Sequence, residues 1–130
     1  MIINGKDATL GRLAAYAAKA ALKGEEVVIV NCEQAVITGN KAFIKSNLEE
    51  KRTHVGSTQK GPKVSRTSEK IVKRTIRGML PNYRTGRGRD AFKRIRCYEG
   101  LPKELEKTKL EIFESRTKGK KHAVKEFAKW

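Results

Sequence analysis

The sequence predicts an α/β fold: a three-layer α/β/α domain with a small, mostly parallel sheet, plus basic loops and a C-terminal tail. Two observations predict this class. Strand and helix signals alternate over the first half of the chain, and a strand–helix–strand order implies a right-handed crossover between parallel strands. The run Val27–Val30 is continuously apolar and β-branched, which is typical of a strand buried on both faces.

The first elements follow from apolar patterning. Met1–Asn4 is a short apolar start, and a helix is expected to be capped by Thr9 and to run to about Lys23. One face of this helix is rich in alanine, whose small side chain lets a helix lie close to a sheet. The strand Glu26–Asn31 follows, and Ala35–Thr38 repeats the strand signal.

A second helix and a long loop come next. Lys41–Lys51 has helical spacing, with Phe43, Ile44 and Leu48 forming its apolar side. The segment His54–Thr67 is rich in glycine, serine, lysine and proline and has no periodicity, so we predict a loop.

The next helix is predicted to have two contrasting faces. Ser68 is expected to cap it, while Gly78 near its end and Pro81 beyond it stop the helix. Four basic residues fall within an arc of about 100°, namely Lys70, Lys73, Arg74 and Arg77. The opposite side carries Ile71, Val72, Thr75, Ile76 and Met79. This pattern predicts a core face and a basic stripe.

The remaining elements are less strongly patterned. A short helix is expected over Gly88–Ile95, with Phe92 and Ile95 pointing inward, and Arg96–Tyr98 is expected to form a last strand.

The C-terminal part of the chain has a weak apolar signal. Lysine and glutamate alternate beyond Gly100, so we predict a partly extended tail that is ordered on binding. We therefore divide the chain into an α/β domain over residues 1–100 and a charged extension over residues 101–130.

Bulk properties restrict the class of protein. A length of 130 residues with 38% hydrophobic content predicts one lean core. No apolar run of about 18 residues is present, and the N-terminus lacks the layout of a signal peptide, so we expect a cytoplasmic protein. Cys32 and Cys97 have no second Cys or His nearby, which favours free buried thiols; a disulfide or a metal site stays an alternative.

Positive charge is concentrated in the middle of the chain. Residues 59–100 hold 13 basic and three acidic side chains, a net of +10 out of +16. So much like charge in a folded chain requires an anionic partner, and a phosphate backbone is the commonest one. The residues predicted to bind RNA are Lys60, Lys63, Arg66, Lys70, Lys73, Arg74, Arg77, Arg84, Arg87, Arg89 and Arg94, with Lys6 and Arg12 beside a helix N-terminus.

Catalytic motifs are weak. Gly86–Ala91 matches the dinucleotide fingerprint in letters, but a loop after a helix precedes it where the fingerprint requires a strand. Gly5–Arg12 lacks the spacing and the lysine of a Walker A loop. We therefore expect no enzyme, cofactor or metal. The alternatives to an RNA-binding protein are a nucleotide-using enzyme on a Rossmann-like sheet and a DNA-compacting protein. Aromatic residues that could stack on the bases of a single strand are sparse, which favours a folded RNA as the partner.

Several short blocks together resemble the large-subunit ribosomal protein thirteen family. They are Asp7–Ala14, Val27–Asn31, Ile37–Gly39 and Arg77–Pro81 followed by Gly88. The resemblance implies an α/β/α domain among large-subunit ribosomal RNA helices and neighbouring ribosomal proteins, with a structural and assembly role and no catalysis. The segments Lys60–Arg66 and Tyr98–Pro102 are similar to the archaeal and eukaryotic branch.

Overall fold

The computed structural model describes residues 1–54, 64–113 and 118–128. Within these ranges the helices are α1 (Leu10–Leu22), α2 (Lys41–Thr53), α3 (Ser68–Met79) and α4 (Gly86–Lys93). The strands are β1 (Ile2–Asn4), β2 (Val27–Val30), β3 (Val36–Thr38), β4 (Ile95–Cys97), β5 (Glu111–Ile112) and β6 (Lys121–Ala123).

Four strands form a parallel sheet in the order β4–β2–β1–β5. Ile29 of β2 lies opposite Ile3 on one side and opposite Cys97 on the other. β1, α1 and β2 make the strand–helix–strand unit that the sequence predicts, so the α/β class with a mostly parallel sheet is confirmed. Because parallel strands run in one direction, their carboxyl ends meet at the same edge of the sheet.

Hydrogen bonds at this edge position the start of α3. The backbone N–H of Gly100, which follows β4, donates to the Glu33 carboxylate at 2.9 Å. The neighbouring Glu99 accepts from the backbone N–H of Ser68 at 2.9 Å. A carboxylate is favourable at a helix N-terminus, where backbone N–H groups lack partners within the helix. Glu99 therefore fixes the first turn of α3 to the end of β4.

The alanine-rich face of α1 lies in the core, as predicted. Ala14, Ala17 and Ala21 are fully buried, and α1 packs against α3 and α4. Small side chains allow this close approach between helices. The helix begins after Thr9, and Gly24 follows its end with a φ of +99°, a conformation that favours glycine.

The strand predicted at Ala35–Thr38 is present, but it does not join the parallel sheet. β3 pairs with β6 in a separate antiparallel ribbon. The backbone N–H of Val36 donates to the carbonyl of Ala8 at 2.8 Å, which ties this ribbon to the start of α1. Its partner strand lies more than 80 residues away in sequence, so local patterning could not reveal the pairing.

α2 has the predicted position but a different environment. None of its side chains is buried, and Phe43 is 70% exposed. Ile44 and Leu48 are half-buried. The predicted apolar side of the helix is therefore present in the sequence pattern, but Phe43 on that side lies in solvent. The helix starts at Asn40, whose side chain accepts from the Ala42 N–H at 3.0 Å.

Three predicted boundaries are shifted. Thr67, and not Ser68, is the N-cap of α3, because the backbone of Thr67 is still extended and Ser68 is the first helical residue. The second short helix begins at Gly86 and ends at Lys93. Ile95 is fully buried as predicted, but it belongs to β4.

The C-terminal segment contributes to the fold. β5 extends the parallel sheet beside β1, and β6 pairs with β3. A short 3-10 turn at Val124–Phe127 follows, and both of its apolar end residues are buried, Phe127 being 1% exposed. An Arg52 guanidinium nitrogen donates to the carbonyl of Phe127 at 3.1 Å, which links the turn to α2.

Candidate nucleic-acid interface

One face of α3 carries four cations, Lys70, Lys73, Arg74 and Arg77, which we call the basic stripe. Ile71, Val72 and Ile76 on the other side are buried, so the predicted division of the helix into a core face and a basic face is confirmed. Met79 is the exception: it is 44% exposed, and the next residue, Leu80, is buried in its place.

The basic stripe carries unneutralised charge. Among the described residues, the only ion pairs within 4.0 Å are made by Glu126 with Lys41 and with His122, so no stripe cation is paired with a carboxylate. Glu69 is in the first turn of α3, where it meets the positive end of the helix dipole. Positive charge held on a rigid helix without acid partners is the arrangement that attracts a polyanion.

Two open grooves border the stripe and share Lys70 and Lys73. One is also lined by Ser65, Arg74, Arg77 and Phe92. The other is also lined by Glu69, Arg96, Cys97 and Tyr98. The cations therefore line two neighbouring grooves, one that reaches Phe92 of α4 and one that reaches the end of β4.

Aromatic rings hold the cations in place. The Lys73 Nζ lies 4.9 Å from the centre of the Phe92 ring, and the Arg77 guanidinium carbon lies 4.5 Å from that of Tyr83. Arg84 approaches the same Tyr83 ring at 5.4 Å. The two rings are neighbours, with centres 6.4 Å apart. Such contacts stabilise a cation by about 0.5–1 kcal/mol at exposed sites.

The ionisation of Tyr83 reflects these neighbours. A hydrogen bond with Arg84 and the positive charge of that residue lower the pKa of the Tyr83 phenol below its ordinary value, and the charge of Arg77 adds to this. The sequence analysis used the sparse aromatics only to favour folded RNA over single strands, and it did not predict contacts of Tyr83 and Phe92 with the stripe. Their contact with the stripe depends on how α4 folds back, which no local pattern reports.

The loop between α3 and α4 lies very close to the first turn of α4. A methyl group at Gly88 would stand directly against the carbonyl oxygen of Pro81 and 2.6 Å from that of Asn82, so glycine is required there. The Asn82 side chain accepts from the Arg84 N–H at 3.2 Å and donates to Thr85 at 3.0 Å. Gly86–Ala91, the segment that matches the dinucleotide fingerprint in letters, therefore begins a helix. A loop precedes it where the fingerprint requires a strand.

The other predicted residues are distributed differently. Arg87 and Arg89 are exposed on α4, and Lys6 and Arg12 are exposed at the start of α1. Arg94 is turned inward, and one of its guanidinium nitrogens donates to the carbonyl of Ala21 at 3.1 Å in the last turn of α1.

The segment before α3 is only partly described. Arg66 is exposed. Burial of the Arg52 guanidinium lowers the pKa of Arg52, and the positive charge of Arg66 lowers it further. Arg52 thus adds a further cation near this segment that sequence reasoning did not include. Lys60 and Lys63 lie outside the described residues.

The described ranges hold neither a metal centre nor a membrane-spanning helix. No group of three or more His, Cys, Asp or Glu side chains there is arranged to hold a metal ion. None of the helices in those ranges is long and apolar enough to cross a membrane.

The fold and the site together define a class: a small basic α/β protein whose cationic helix face has no carboxylate partner in the described part of the chain. Comparison with known families gives the particular assignment. The chain matches ribosomal protein L13 over residues 1–104 and belongs to this family. The family is structural, so the prediction of a ribosomal protein that is not an enzyme is confirmed.

Individual relatives agree with this assignment. The large ribosomal subunit protein uL13 of Archaeoglobus fulgidus is 45% identical over 113 residues, covering 87% of this chain and 71% of that protein. The uL13 of Methanocaldococcus jannaschii is 49% identical over 107 residues, covering 80% and 77%. That of Thermoplasma acidophilum is 46% identical over 110 residues, covering 85% and 79%. All three are archaeal, in agreement with the predicted branch.

Proposed function

We propose that this chain is a structural component of the cytoplasmic large ribosomal subunit that binds ribosomal RNA through the basic stripe and takes part in subunit assembly. Its relatives are named as proteins of that subunit. Neighbouring large-subunit proteins are its further partners. Residues 1–100 supply the RNA-binding domain, and the segment from residue 101 is a charged extension that packs onto it.

The observation that carries this proposal is the state of the basic stripe. Its four cations have no carboxylate partner among the described residues, and two of them lie against aromatic rings. An ordered cation loses less conformational entropy when it binds, because its side chain is already restricted. Arginine can also meet a phosphate through two parallel hydrogen bonds. The stripe is therefore organised to bind phosphates before RNA arrives.

The remaining members of the proposed RNA surface extend from the stripe. They are Lys6, Arg12, Lys60, Lys63, Arg66, Arg84, Arg87, Arg89 and Arg94. Most of those in the described ranges are exposed; Arg94 is half-buried and binds the end of α1, so a contact of this residue with RNA would be made by its remaining guanidinium nitrogens.

The test is a charge reversal on the stripe with a matched control elsewhere. The variant Arg74→Glu with Arg77→Glu should lose affinity for a folded fragment of large-subunit ribosomal RNA. Each lost phosphate contact should flatten the dependence of log Kd on log salt by about 0.7–0.9. The control, Lys107→Glu with Lys109→Glu, makes the same charge change at exposed positions outside the proposed surface.

Three readouts decide the proposal. The stripe variant should bind RNA more weakly and with a smaller salt slope than the control, while both unfold at the same urea concentration. In cells, the stripe variant should be depleted from the large-subunit peak of a sucrose gradient. Equal affinity and slope for the two variants would refute the role of the stripe. Tighter binding of duplex DNA than of folded RNA at matched salt would favour the DNA-compacting alternative.

A further inference from the structure

The fold brings together the two cysteines, which lie far apart in sequence. Cys97 ends β4, and in the sheet it is paired with Ile29 of β2. Cys32 follows β2 in a short 3-10 turn, and its N–H donates to the carbonyl of Tyr98 at 3.2 Å. The Cys32 thiol points back to the strand and donates to the Ile29 carbonyl at 3.6 Å. These bonds place Cys32 beside the end of β4, next to Cys97.

The strand register brings the two cysteines near each other, because the Cys32 thiol donates to the carbonyl of Ile29, the residue that is paired with Cys97. A hydrogen bond with the Cys97 thiol raises the pKa of Cys32, and burial raises it further. Both cysteines are in the free thiol form. A disulfide requires two cysteines whose backbones already lie close together, and the bonds of Cys32 to Ile29 and Tyr98 show that Cys32 lies beside the end of β4.

The thiols differ in their access to solvent. Cys32 is fully buried, whereas Cys97 is half-buried and lines the groove that contains Lys70 and Lys73. A reagent in solution can therefore reach Cys97 but not Cys32. This is the arrangement of an accessible, half-buried cysteine that reacts first and a protected cysteine that resolves the product.

We propose that Cys32 and Cys97 form an oxidation site that hydrogen peroxide converts into an intramolecular disulfide. The Cys97 sulfur attacks one peroxide oxygen; a sulfur–oxygen bond forms, the oxygen–oxygen bond breaks, and the leaving hydroxide takes up the thiol proton as water. The Cys32 sulfur then displaces the hydroxyl of the sulfenic acid. A sulfur–sulfur bond forms, a second water leaves with the Cys32 proton, and the two thiols have given two electrons to one peroxide.

The inference does not depend on RNA binding and is tested on the free full-length protein. After treatment with one equivalent of hydrogen peroxide, the chain is unfolded in urea with N-ethylmaleimide, and its intact mass is measured. Wild type should lose both maleimide-reactive thiols, and a proteolytic peptide should link Cys32 to Cys97. Treating the oxidised protein with dithiothreitol before the maleimide step should restore both reactive thiols. Oxidation in urea from the start should lower the yield of this linkage at least about tenfold, because the proximity is lost.

Two variants separate the steps. In Cys32→Ala the reaction should stop at the sulfenic acid of Cys97, which dimedone traps. In Cys97→Ser neither the disulfide nor the dimedone adduct should form, and the buried Cys32 should remain reduced. Three outcomes would overturn the proposal: both thiols of native wild type stay reduced, Cys97 forms only bonds between chains, or Cys97 is oxidised to the sulfinic acid while Cys32 stays reactive in urea.

Discussion

Truncation of Phe127 tests whether the C-terminal turn belongs to the core. Phe127 is 1% exposed, and its ring meets that of His122 edge-on with centres 6.3 Å apart. Replacing a buried phenylalanine by alanine costs about 3–5 kcal/mol, from lost burial and the cavity left behind. A whole domain is stable by only about 5–15 kcal/mol. We therefore expect Phe127→Ala to lose a large part of the free energy of unfolding.

The chain provides a matched control for this substitution. Phe43→Ala removes the same ring from a site that is 70% exposed, so its cost should stay within about 0.5 kcal/mol. The backbone carbonyl that accepts from Arg52 is retained in Phe127→Ala, so the measurement reports the ring alone.

Urea unfolding followed by circular dichroism gives the free energies, with equal m-values required for a valid comparison. If Phe127→Ala is too unstable to purify, Phe127→Leu should fold with a smaller loss, below about 1.5 kcal/mol. Equal urea midpoints for Phe127→Ala and Phe43→Ala would refute the placement of the turn in the core.

Other substitutions test the interface. Gly88→Ala should destabilise the protein by about 1–3 kcal/mol in urea unfolding, because the new methyl group collides with the Pro81 carbonyl; wild-type stability would contradict this packing. Arg94→Met should cost about 1–2 kcal/mol, since a guanidinium hydrogen bond to the last turn of α1 is lost, and an unchanged midpoint would count against that bond. NMR titration should show Tyr83 ionising below the ordinary tyrosine pKa, because Arg84 favours the phenolate; Arg84→Gln should raise this pKa, and an unchanged value would exclude that cause.

Local patterns were sufficient for the elements with strong signals. The β-branched run of β2, the alanine face of α1 and the two faces of α3 each follow from a few adjacent residues, and each was found where predicted. The basic stripe could be predicted for the same reason, since helical periodicity alone places its four cations on one side.

What local patterns missed depends on contacts between distant segments. Val124 and Phe127 stand among lysines and glutamates, so nothing near them in sequence indicates burial. They are buried because the C-terminal turn packs against α3, β6 and the 3-10 turn at Cys32–Gln34. Conversely, Phe43 lies on the apolar side of its helix, but it is 70% exposed in the part of the chain that the structure describes. The support of the stripe by Tyr83 and Phe92 likewise depends on the turn at Gly88.

The pairing of early strands with late ones determines when this protein can finish folding. β1 is made first, but β5 on its outer side follows more than 100 residues later, and β3 waits more than 80 residues for β6. At about 5–20 residues per second, synthesis takes several seconds to reach residue 127. Until then the nascent chain exposes unpaired strand edges and an incomplete core. A fold dominated by such distant pairings is also expected to form slowly once the chain is released.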